Sequence, residues 1–235
     1  MINYLNNQKP PILMKLTKYK KQIPEKLYKL LEKRNFLELR PSQTKSIKAG
    51  LFEDKNLLVC TPTGSGKTLV GELAILNSLY HNIGKAVYIV PLKALANEKY
   101  REFKERYPDL KIAISIGDVD SSEPHLANYD LILCTSEKLD SLLRHQATWL
   151  KDLKVVIIDE IHLLNDPGRG PTLEILITIL RTMLKDLQII GLSATIGNPK
   201  ELAEWLDAEL VIDHWRPVKL EQGVYLNGKI EFIEK

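Results

Sequence analysis

Two short stretches of this chain hold residue types that do chemistry on phosphates. The first, residues 61–68, reads Thr-Pro-Thr-Gly-Ser-Gly-Lys-Thr, and the second brings two carboxylates together at Asp159 and Glu160. Glycines let a loop curl so that backbone N–H groups point inward at a polyphosphate, while the lysine reaches the β- and γ-phosphates and the last hydroxyl ligates Mg²⁺. The predicted nucleotide-binding residues of the first stretch are Thr63, Gly64, Ser65, Gly66, Lys67 and Thr68.

The first stretch has the flanking elements that a phosphate-binding loop needs. The apolar run 57–60 predicts a buried strand before it, and an apolar helical pattern starts at Leu69 after it. The first turn of that helix supplies unpaired N–H groups and the positive end of the helix dipole. The generic pattern begins with glycine where this chain has Thr61, and the alternative interpretation is a Gly/Ser-rich turn that happens to end in Lys-Thr.

The carboxylate pair follows a second apolar run, 155–158, which predicts a buried strand ending at one edge of a sheet. Asp159 and Thr68 suit Mg²⁺, because this ion keeps several waters and needs few protein oxygens. Glu160 suits an attacking water, which it would position and polarise. We therefore predict Lys67, Asp159 and Glu160 as catalytic, Thr68 and Asp159 as metal ligands, and ATP with Mg²⁺ as the ligands. The alternative is that the two carboxylates only cap a strand.

Composition indicates one folded domain and excludes several classes of protein. At 235 residues, 27% charged and 44% hydrophobic, the chain fits a single globular α/β domain. It has neither an apolar run of membrane-span length nor a secretory signal, so we expect it to stay in the cytoplasm. We also expect a monomer. The net charge of +3 does not by itself establish nucleic-acid binding, and the lysines between residues 15 and 34 are typical of a solvated helix face. Cys60 and Cys134 lack metal-ligand spacing and predict buried, reduced thiols.

Strand-like and helix-like segments alternate through most of the chain. This order predicts a mostly parallel sheet with helices on both faces, and it places ligands at the carboxyl ends of the strands. Further short helices are predicted from Glu25 and over residues 42–51, and a hairpin over 222–232 with a turn at Asn227-Gly228. The other predicted strands are 86–90, 112–116, 131–134, 189–192 and 210–212, and the other predicted helices are 93–106, 136–144, 172–184 and 199–206.

A third motif, Ser-Ala-Thr at 193–195, follows one of these predicted strands. Together with the phosphate-binding loop and the carboxylate pair, it makes the chain resemble the first RecA-like motor domain of a superfamily-two helicase. The sequence Asp-Glu-Ile-His at 159–162 is similar to the Ski-two-like branch rather than the DEAD-box branch. The resemblance implies a RecA-like P-loop NTPase fold with a single motor domain. It also implies that four residues couple the nucleotide site to nucleic-acid movement: His162, Ser193, Ala194 and Thr195.

The resemblance implies further ligand contacts outside the phosphate loop. Gln43, in Leu-Arg-Pro-Ser-Gln at 39–43, would read the adenine edge, which a carboxamide can pair with through two hydrogen bonds. A single glutamine at a helix start is otherwise simply solvated. Residues after successive strands would contact sugar and phosphate whatever the base sequence, although each motif alone is also a plain loop or cap. These expected nucleic-acid contacts are Pro91, Lys93, Gly117 with its neighbour Asp118, Thr135, Ser136 and Arg169.

The predicted domain organisation has three parts. Residues 1–24 show no periodicity and predict an N-terminal arm, packed on the surface or partly loose; residues 25–213 form the RecA-like ATP-binding domain. By the resemblance, residues 214–235 are a linker and the start of a second motor domain, although Trp215 is alternatively a packing anchor. Since that second domain supplies arginine fingers, which contribute on the order of a thousandfold to turnover, we expect the chain alone to bind Mg-ATP weakly, hydrolyse it slowly and not unwind.

The function that these features favour is the ATP-binding motor domain of an ATP-dependent DNA helicase, which moves along single-stranded or forked DNA. DNA is preferred over RNA because the stretches 166–174 and 215–220 resemble archaeal DNA helicases of this branch. An RNA helicase of the same branch is one alternative. The other is a nucleotide-dependent switch that binds nucleic acid without processive hydrolysis, although Glu160 argues against it.

Overall fold

The apolar runs of the sequence form a seven-stranded, fully parallel sheet with the order β5-β6-β4-β7-β8-β3-β9. The structure is a computed structural model that describes residues 13–117, 121–218, 221 and 223–232. Strands buried on both faces are apolar almost throughout, as parallel strands under helices must be. The strands are β1 (Met14–Lys15), β2 (Glu38–Leu39), β3 (Leu57–Cys60), β4 (Lys85–Ile89), β5 (Ile112–Ser115), β6 (Leu131–Cys134), β7 (Leu153–Ile158), β8 (Gln188–Ser193), β9 (Glu209–Ile212), β10 (Gly223–Leu226) and β11 (Lys229–Phe232).

Helices cover both faces of this sheet. They are α1 (Glu25–Lys33), α2 (Pro41–Lys48), α3 (Lys67–Tyr80), α4 (Lys93–Arg106), α5 (Ser136–Arg144), α6 (Gly170–Met183) and α7 (Pro199–Leu206). One hydrophobic cluster joins the sheet to α1–α4, and a second joins its other face to α5–α7. The predicted fold class, an α/β RecA-like P-loop NTPase with helices on both faces of a parallel sheet, is confirmed.

The predicted strands and helices lie where the sequence placed them, with ends shifted by a few residues. β7 begins at Leu153 and α6 at Gly170, each before the predicted start. The predicted helix over 42–51 is α2, which ends at Lys48, because Gly50 adopts a positive φ of +101° and turns the chain. Such a conformation favours glycine and cannot continue a right-handed helix.

The described part of the N-terminal segment contributes to the core. Strand β1 pairs with β2 in antiparallel register, and the 3₁₀ turn Leu16–Tyr19 follows it. The side chains of Leu16 and Ile23 are buried in the same cluster as Leu27 of α1. The separations of seven and four residues between them fit a helical period, but Pro24 interrupts it, so the pattern alone does not predict that the segment packs here. Residues 1–12 of the predicted arm lie outside the described residues, and the boundary at 24 stays a prediction.

The predicted hairpin is present as β10 and β11, which pair in antiparallel register. Asn227 and Gly228 both adopt positive φ, 49° and 82°, the signature of the hairpin turn that Asn-Gly favours. Residue 222, the predicted first residue, lies outside the described residues. Of the helices that the structure describes, none has the length and apolar character needed to span a membrane.

Candidate functional site

The loop after β3 has a left-handed bend at each of its two glycines. Gly64 has φ +82° and Gly66 has φ +92°, conformations that residues with a Cβ rarely adopt. Thr61, which replaces the generic glycine, is fully buried, and its hydroxyl lies 2.7 Å from the Ser65 hydroxyl. The departure from the generic pattern therefore adds a hydrogen bond inside the loop. Gly66 leads directly into α3, so the loop presents its backbone at a helix N-terminus.

Lys67 and Glu160, predicted from separate stretches, form an ion pair at the carboxyl end of the sheet. The Lys67 ammonium lies 3.2 and 3.3 Å from the two carboxylate oxygens of Glu160. Lys67 is 8% exposed, so this charge needs a partner. Thr68, the next residue of α3, is half-buried. The first turn of α3 and the end of β7 are thus joined by a direct contact between two predicted catalytic residues.

Asp159 lies deeper at the same strand end and is held by two donors. The Tyr88 hydroxyl donates to its Oδ2 at 3.1 Å, and the Glu160 N–H donates to its Oδ1 at 3.1 Å. Burial, and then the neighbouring Glu160 carboxylate, raise the pKa of Asp159 above its ordinary value. Burial also raises the pKa of Tyr88 well above its ordinary value, so its hydroxyl stays a donor. A carboxylate in this position gains from a cation placed beside it.

Two of the four predicted coupling residues contact this group. The His162 Nδ1 lies 3.3 Å from Glu160 Oε2 and 3.5 Å from the fully buried Ser193 Oγ. Glu160 has a positive φ of 52°, which turns the chain so that its own side chain and that of His162 face each other. The contacts therefore run without a break from Lys67 through Glu160 and His162 to β8. Of the two residues that follow Ser193, Ala194 is half-buried and Thr195 is exposed.

Gln43, which the resemblance implies as a reader of adenine, lies beside the phosphate loop with its amide engaged by the protein. Its Oε1 accepts the Arg40 N–H at 2.8 Å, which caps α2, and its Nε2 donates to the Gly66 carbonyl at 3.2 Å. The side chain is 3% exposed. A cleft of about 230 Å³ opens next to it, lined also by Phe36, Arg40 and Thr68. The structure thus places a small concave site between Gln43 and the start of α3.

Arg40 contacts the phosphate loop directly and was not singled out by the sequence. Its Nη1 donates to the Gly64 carbonyl at 2.6 Å, and its guanidinium lies 5.6 Å from the centre of the Trp215 ring. The only signal available was its place in the same short stretch as Gln43. A pattern of residue types does not show which of several polar side chains turns toward a loop.

Glu72 is a second residue that sequence reasoning missed. It is 2% exposed, and the hydroxyl of Tyr107 donates to it, as does Arg106 Nη1 at 2.6 Å. Arg34 Nη1 lies 3.7 Å from the same carboxylate. The donors come from α4 and from the end of α1, so the carboxylate joins both to α3, one turn after Thr68. The sequence offered one signal for this role, because Glu72 is the one acidic residue within the apolar sequence of α3.

A groove at the carboxyl ends of β4 to β6 collects most of the predicted nucleic-acid contacts. Its volume is about 590 Å³. Arg169, one of the residues that line it, donates a hydrogen bond from Nη1 to the Pro91 carbonyl at 2.9 Å. Ser136 is buried and does not line it, although its neighbours Thr135 and Glu137 do. Asp118 lies outside the described residues. The predicted residues that line the groove are Pro91, Lys93, Gly117, Thr135 and Arg169, and the additional ones include Glu137, Lys138, Ser141 and Arg144.

The loop that carries Arg169 is fixed by a carboxylate within it. Asp166 Oδ1 accepts the N–H groups of Gly168 and Arg169, both at 2.9 Å. The Asp166 carbonyl accepts the Gly170 N–H at 2.8 Å, where α6 begins. Arg169 is therefore held at the rim of the groove by hydrogen bonds on both its main chain and its side chain. Glu174, on the next turn of α6, is exposed.

Comparison with known proteins gives three results. The sequence profile described as "DEAD/DEAH box helicase" matches residues 40–202. The chain is 54% identical over 217 residues to the ATP-dependent DNA helicase Hel308 of Methanocaldococcus jannaschii, and 54% identical over 207 residues to that of Pyrococcus abyssi. These matches cover 89% and 88% of this chain but only 18% and 28% of the length of the two relatives.

Solved structures with a similar fold include two of the DUF1998 helicase MrfA. The crystal structure bound to DNA gives a TM-score of 0.70 at 29% identity, covering 82% of this chain and 30% of that one. The crystal structure bound to DNA and AMPPNP gives a TM-score of 0.71 at 29% identity, covering 82% of this chain and 29% of that one.

Proposed function

Since this chain belongs to the DEAD/DEAH box helicase family, we propose that it is the first motor domain of an ATP-dependent DNA helicase. Such a domain couples ATP hydrolysis to movement along single-stranded DNA and to unwinding. The observation that carries the proposal is the unbroken contact from Lys67 through Glu160 and His162 to Ser193. These contacts join the phosphate-binding loop after β3 to the ends of β7 and β8, and β7 is the neighbour of β4, at whose end the groove begins.

The phosphate loop and Lys67 supply what ATP needs for binding. The loop backbone and the first turn of α3 donate hydrogen bonds to the phosphates, and Lys67 neutralises part of their charge. Lys67 is held by Glu160, so ATP binding exchanges one anionic partner for another without leaving a buried ammonium unpaired. Freed from Lys67, the Glu160 carboxylate is available to orient and polarise the attacking water.

The oxygen atoms of Asp159 and Thr68 are of the kind that binds Mg²⁺. The Asp159 carboxylate and the Thr68 hydroxyl are hard oxygen ligands, and among the described residues no group of three or more His, Cys, Asp or Glu side chains forms a complete protein cage. Mg²⁺ prefers this sparse arrangement because it keeps waters and takes the rest of its oxygens from phosphates. When bound, it would neutralise charge on the β- and γ-phosphates. The burial that raises the pKa of Asp159 also makes its carboxylate a favourable partner for a cation.

The adenine is best accommodated in the cleft beside Gln43. This cleft offers the carboxamide of Gln43, the ring of Phe36 and the guanidinium of Arg40, which suit hydrogen bonding and stacking with a base. Arg34 lies 4.8 Å from the centre of the Phe36 ring, so one face of that ring is already covered. Reading of adenine by Gln43 requires its amide to exchange the contacts with Arg40 and Gly66.

The groove fits the sugar–phosphate backbone of a single strand. Lys93 and Arg169 supply positive charge, and Thr135 and Gly117 offer a hydroxyl and a close backbone approach. These groups contact the backbone and not the base edges, so binding does not depend on sequence. DNA is preferred over RNA because the similar curated proteins are DNA helicases and the similar solved structures hold DNA.

The test is steady-state ATP hydrolysis by this chain, alone and joined to a second motor domain of the family. Each is assayed without nucleic acid, with single-stranded DNA and with RNA of matching sequence. We expect slow turnover by the chain alone, because an arginine finger contributes on the order of a thousandfold or more. We expect the joined form to be stimulated by DNA well above RNA. Better stimulation by RNA would overturn the substrate, and ATP binding without stimulation by either would favour the switch.

A further inference from the structure

We propose that the segment 213–217, which follows the last strand of the sheet, is part of the nucleotide site, and that Trp215 is a positioning residue for the phosphate loop. The inference rests on the proposed function, because it concerns the loop to which ATP binds. It extends that function by assigning a role to a segment that lies beyond the residues matched by the family profile.

The start of the segment is anchored beside the loop. Asp213 is 7% exposed, and its Oδ2 accepts from the Lys45 ammonium at 2.8 Å while its Oδ1 accepts the Trp215 N–H at 2.7 Å. The Asp213 N–H donates to the carbonyl of Cys60, the last residue of β3, at 3.3 Å. The Lys45 ammonium also donates to the Ile212 carbonyl at 2.9 Å. The Asp213 carboxylate therefore fixes the segment to α2, and the Asp213 main chain fixes it to the strand that leads into the loop.

Two further contacts reach the same glycine of the loop. Arg40 Nη1 donates to the Gly64 carbonyl at 2.6 Å, and the Arg40 guanidinium lies over the half-buried Trp215 ring at 5.6 Å. The Pro217 ring also lies against Gly64, since a Cβ built on that glycine would be 3.7 Å from Pro217 Cγ. Gly64 is thus held on one side by an arginine that Trp215 restrains, and on the other by Pro217.

These contacts make the position of the segment and the shape of the loop interdependent. A planar guanidinium stacks on an aromatic face, so the Trp215 ring limits where Arg40 can place its hydrogen bond. A change in the Gly64 peptide when phosphates bind must then alter the surroundings of Trp215. By the reciprocity of coupled equilibria, displacement of the segment must also alter phosphate affinity.

The signal of Trp215 can be followed in the complete chain. The sequence has three tryptophans, so 5-fluorotryptophan labelling gives a ¹⁹F resonance for each, and W215F identifies that of Trp215 by its loss. Trp149 is buried in the core cluster on the opposite face of the sheet and serves as the internal reference. On titration with Mg-AMPPNP we expect the Trp215 resonance to shift and the Trp149 resonance to stay in place.

Affinity for a fluorescent ATP analogue, mant-ATP, provides the second readout. We expect W215L, which removes the aromatic face, to weaken mant-ATP binding by about threefold to tenfold, and W215F, which keeps a face, to lose less. We expect R40K, which keeps the charge but not the planar fork, to weaken binding as well. Both side chains lie near the surface, so we expect each variant to fold, and thermal unfolding checks this. If W215L does not fold, R40K still tests the proposal.

Three results would overturn the proposal. The first is a Trp215 resonance that does not move at saturating Mg-AMPPNP. The second is W215L and R40K chains that bind mant-ATP as tightly as the unsubstituted chain. The third is a Trp149 shift as large as that of Trp215, which would indicate a general change. If the unsubstituted chain binds no mant-ATP at all, the proposed function itself fails, and the role of Trp215 with it.

Discussion

At the level of single residues, Glu160 stands between the two halves of the site. Its carboxylate contacts the Lys67 ammonium on one side and the His162 ring on the other. A change in the partner of Lys67 therefore frees one side of Glu160 and is felt at His162, which also contacts Ser193 of β8. The coupling role that resemblance assigned to His162 thus has a physical route, although it stays a prediction.

The first prediction concerns Glu160→Gln. The amide keeps the shape of the side chain but cannot polarise a water as a base, so we expect ATP turnover to fall by about a hundredfold or more. Because Lys67 loses its anionic partner, we expect mant-ATP binding to be retained or tightened. Turnover is measured by phosphate release from the chain joined to a second motor domain. Unchanged turnover in this variant would favour the switch over the enzyme.

The second prediction concerns Asp159→Asn and pH. Burial, followed by the Glu160 charge, raises the pKa of Asp159 above its ordinary value of 3.8. The folded state therefore binds the proton more tightly than the unfolded state, and stability falls as pH rises through the window above 3.8 up to the folded-state pKa. We expect Asp159→Asn to be the more stable protein at neutral pH.

This gain in stability should be pH-dependent in a defined direction. The difference in urea midpoint between Asp159→Asn and the unsubstituted chain should shrink as the pH is lowered, because the native carboxyl is then protonated in both states. The Tyr88 hydroxyl can still donate to the asparagine oxygen, so the hydrogen bond is not the source of the difference. A variant that is less stable at neutral pH would show that Asp159 is stabilised by its neighbours rather than destabilised by burial.

Residue types predicted the grouping of Lys67, Asp159 and Glu160 better than they predicted the residues that support it. Asp159 and Glu160 directly follow β7, and Lys67 ends the loop after β3. The carboxyl ends of these parallel strands meet at one edge of the sheet, an arrangement that the alternation of strands and helices already implies. Arg40 and Glu72 were not predicted because their roles depend on the packing of α1, α2 and α4 around α3. Contacts between helices distant in sequence leave little trace in any local pattern.

At the level of elements, Glu72 connects α3 to α4 and to the end of α1. Its partners Arg106 and Tyr107 lie at the end of α4, and the first residue of α4, Lys93, lines the groove. In α3, Glu72 lies one turn after Thr68. Burial, and next the Glu72 charge, raise the pKa of the Tyr107 hydroxyl, so it remains a donor at neutral pH. The network therefore fixes the helix of the phosphate loop against the helix that enters the groove.

The third prediction concerns Glu72→Ala. Removal of the buried carboxylate takes the acceptor from the Tyr107 hydroxyl and weakens the pairing of two guanidinium groups, of which Arg106 keeps Glu102 at 3.5 Å and Arg34 keeps the Tyr107 hydroxyl at 3.1 Å. We expect a loss of about 1–3 kcal/mol in the free energy of unfolding. Arg34 and Arg106 keep 22% and 33% of their side-chain surface in water, which limits the cost. Urea unfolding measures it, with Glu25→Ala as the control, since Glu25 forms an exposed pair with Lys29. Equal effects of the two substitutions would show that the network is not stabilising.

The fourth prediction concerns Gly170→Ala at the start of α6. A Cβ there would overlap the Leu164 carbonyl oxygen and lie 2.9 Å from its carbon, so the 3₁₀ turn Ile161–Asn165 and α6 must separate. We expect a loss of about 1–3 kcal/mol in stability. We also expect weaker binding to a fluorescent dT oligonucleotide, because Arg169 precedes this glycine and lines the groove.

Gly197→Ala is the matched control for this prediction. No atom lies within 4 Å of a Cβ built on Gly197, which is exposed after β8. We expect its stability and oligonucleotide affinity to match those of the unsubstituted chain. If both variants bind the oligonucleotide equally well, either the placement of Arg169 does not depend on the start of α6 or the groove is not the surface that binds DNA.

At the level of the whole molecule, the sheet brings two candidate ligand surfaces to the same edge. The phosphate loop, the carboxylates and the groove all follow the carboxyl ends of parallel strands, which is why their grouping was predictable from order alone. The burial of Leu16, Tyr19 and Ile23 and the contacts of the segment 213–217 were not predictable, because both depend on contacts with elements distant in sequence. Both acquire their place from the domain on which they pack.

The measurement that tests the central claim most directly is the affinity of this chain for Mg-mant-ATP, compared between Lys67→Ala and Lys48→Ala. Lys67 is 8% exposed and paired with Glu160 at the loop, whereas Lys48 is exposed at the end of α2. Loss of charged hydrogen bonds to phosphate should weaken binding to Lys67→Ala by about tenfold or more, while Lys48→Ala should bind as the unsubstituted chain does. Equal affinities in all three chains would contradict a nucleotide site at this loop.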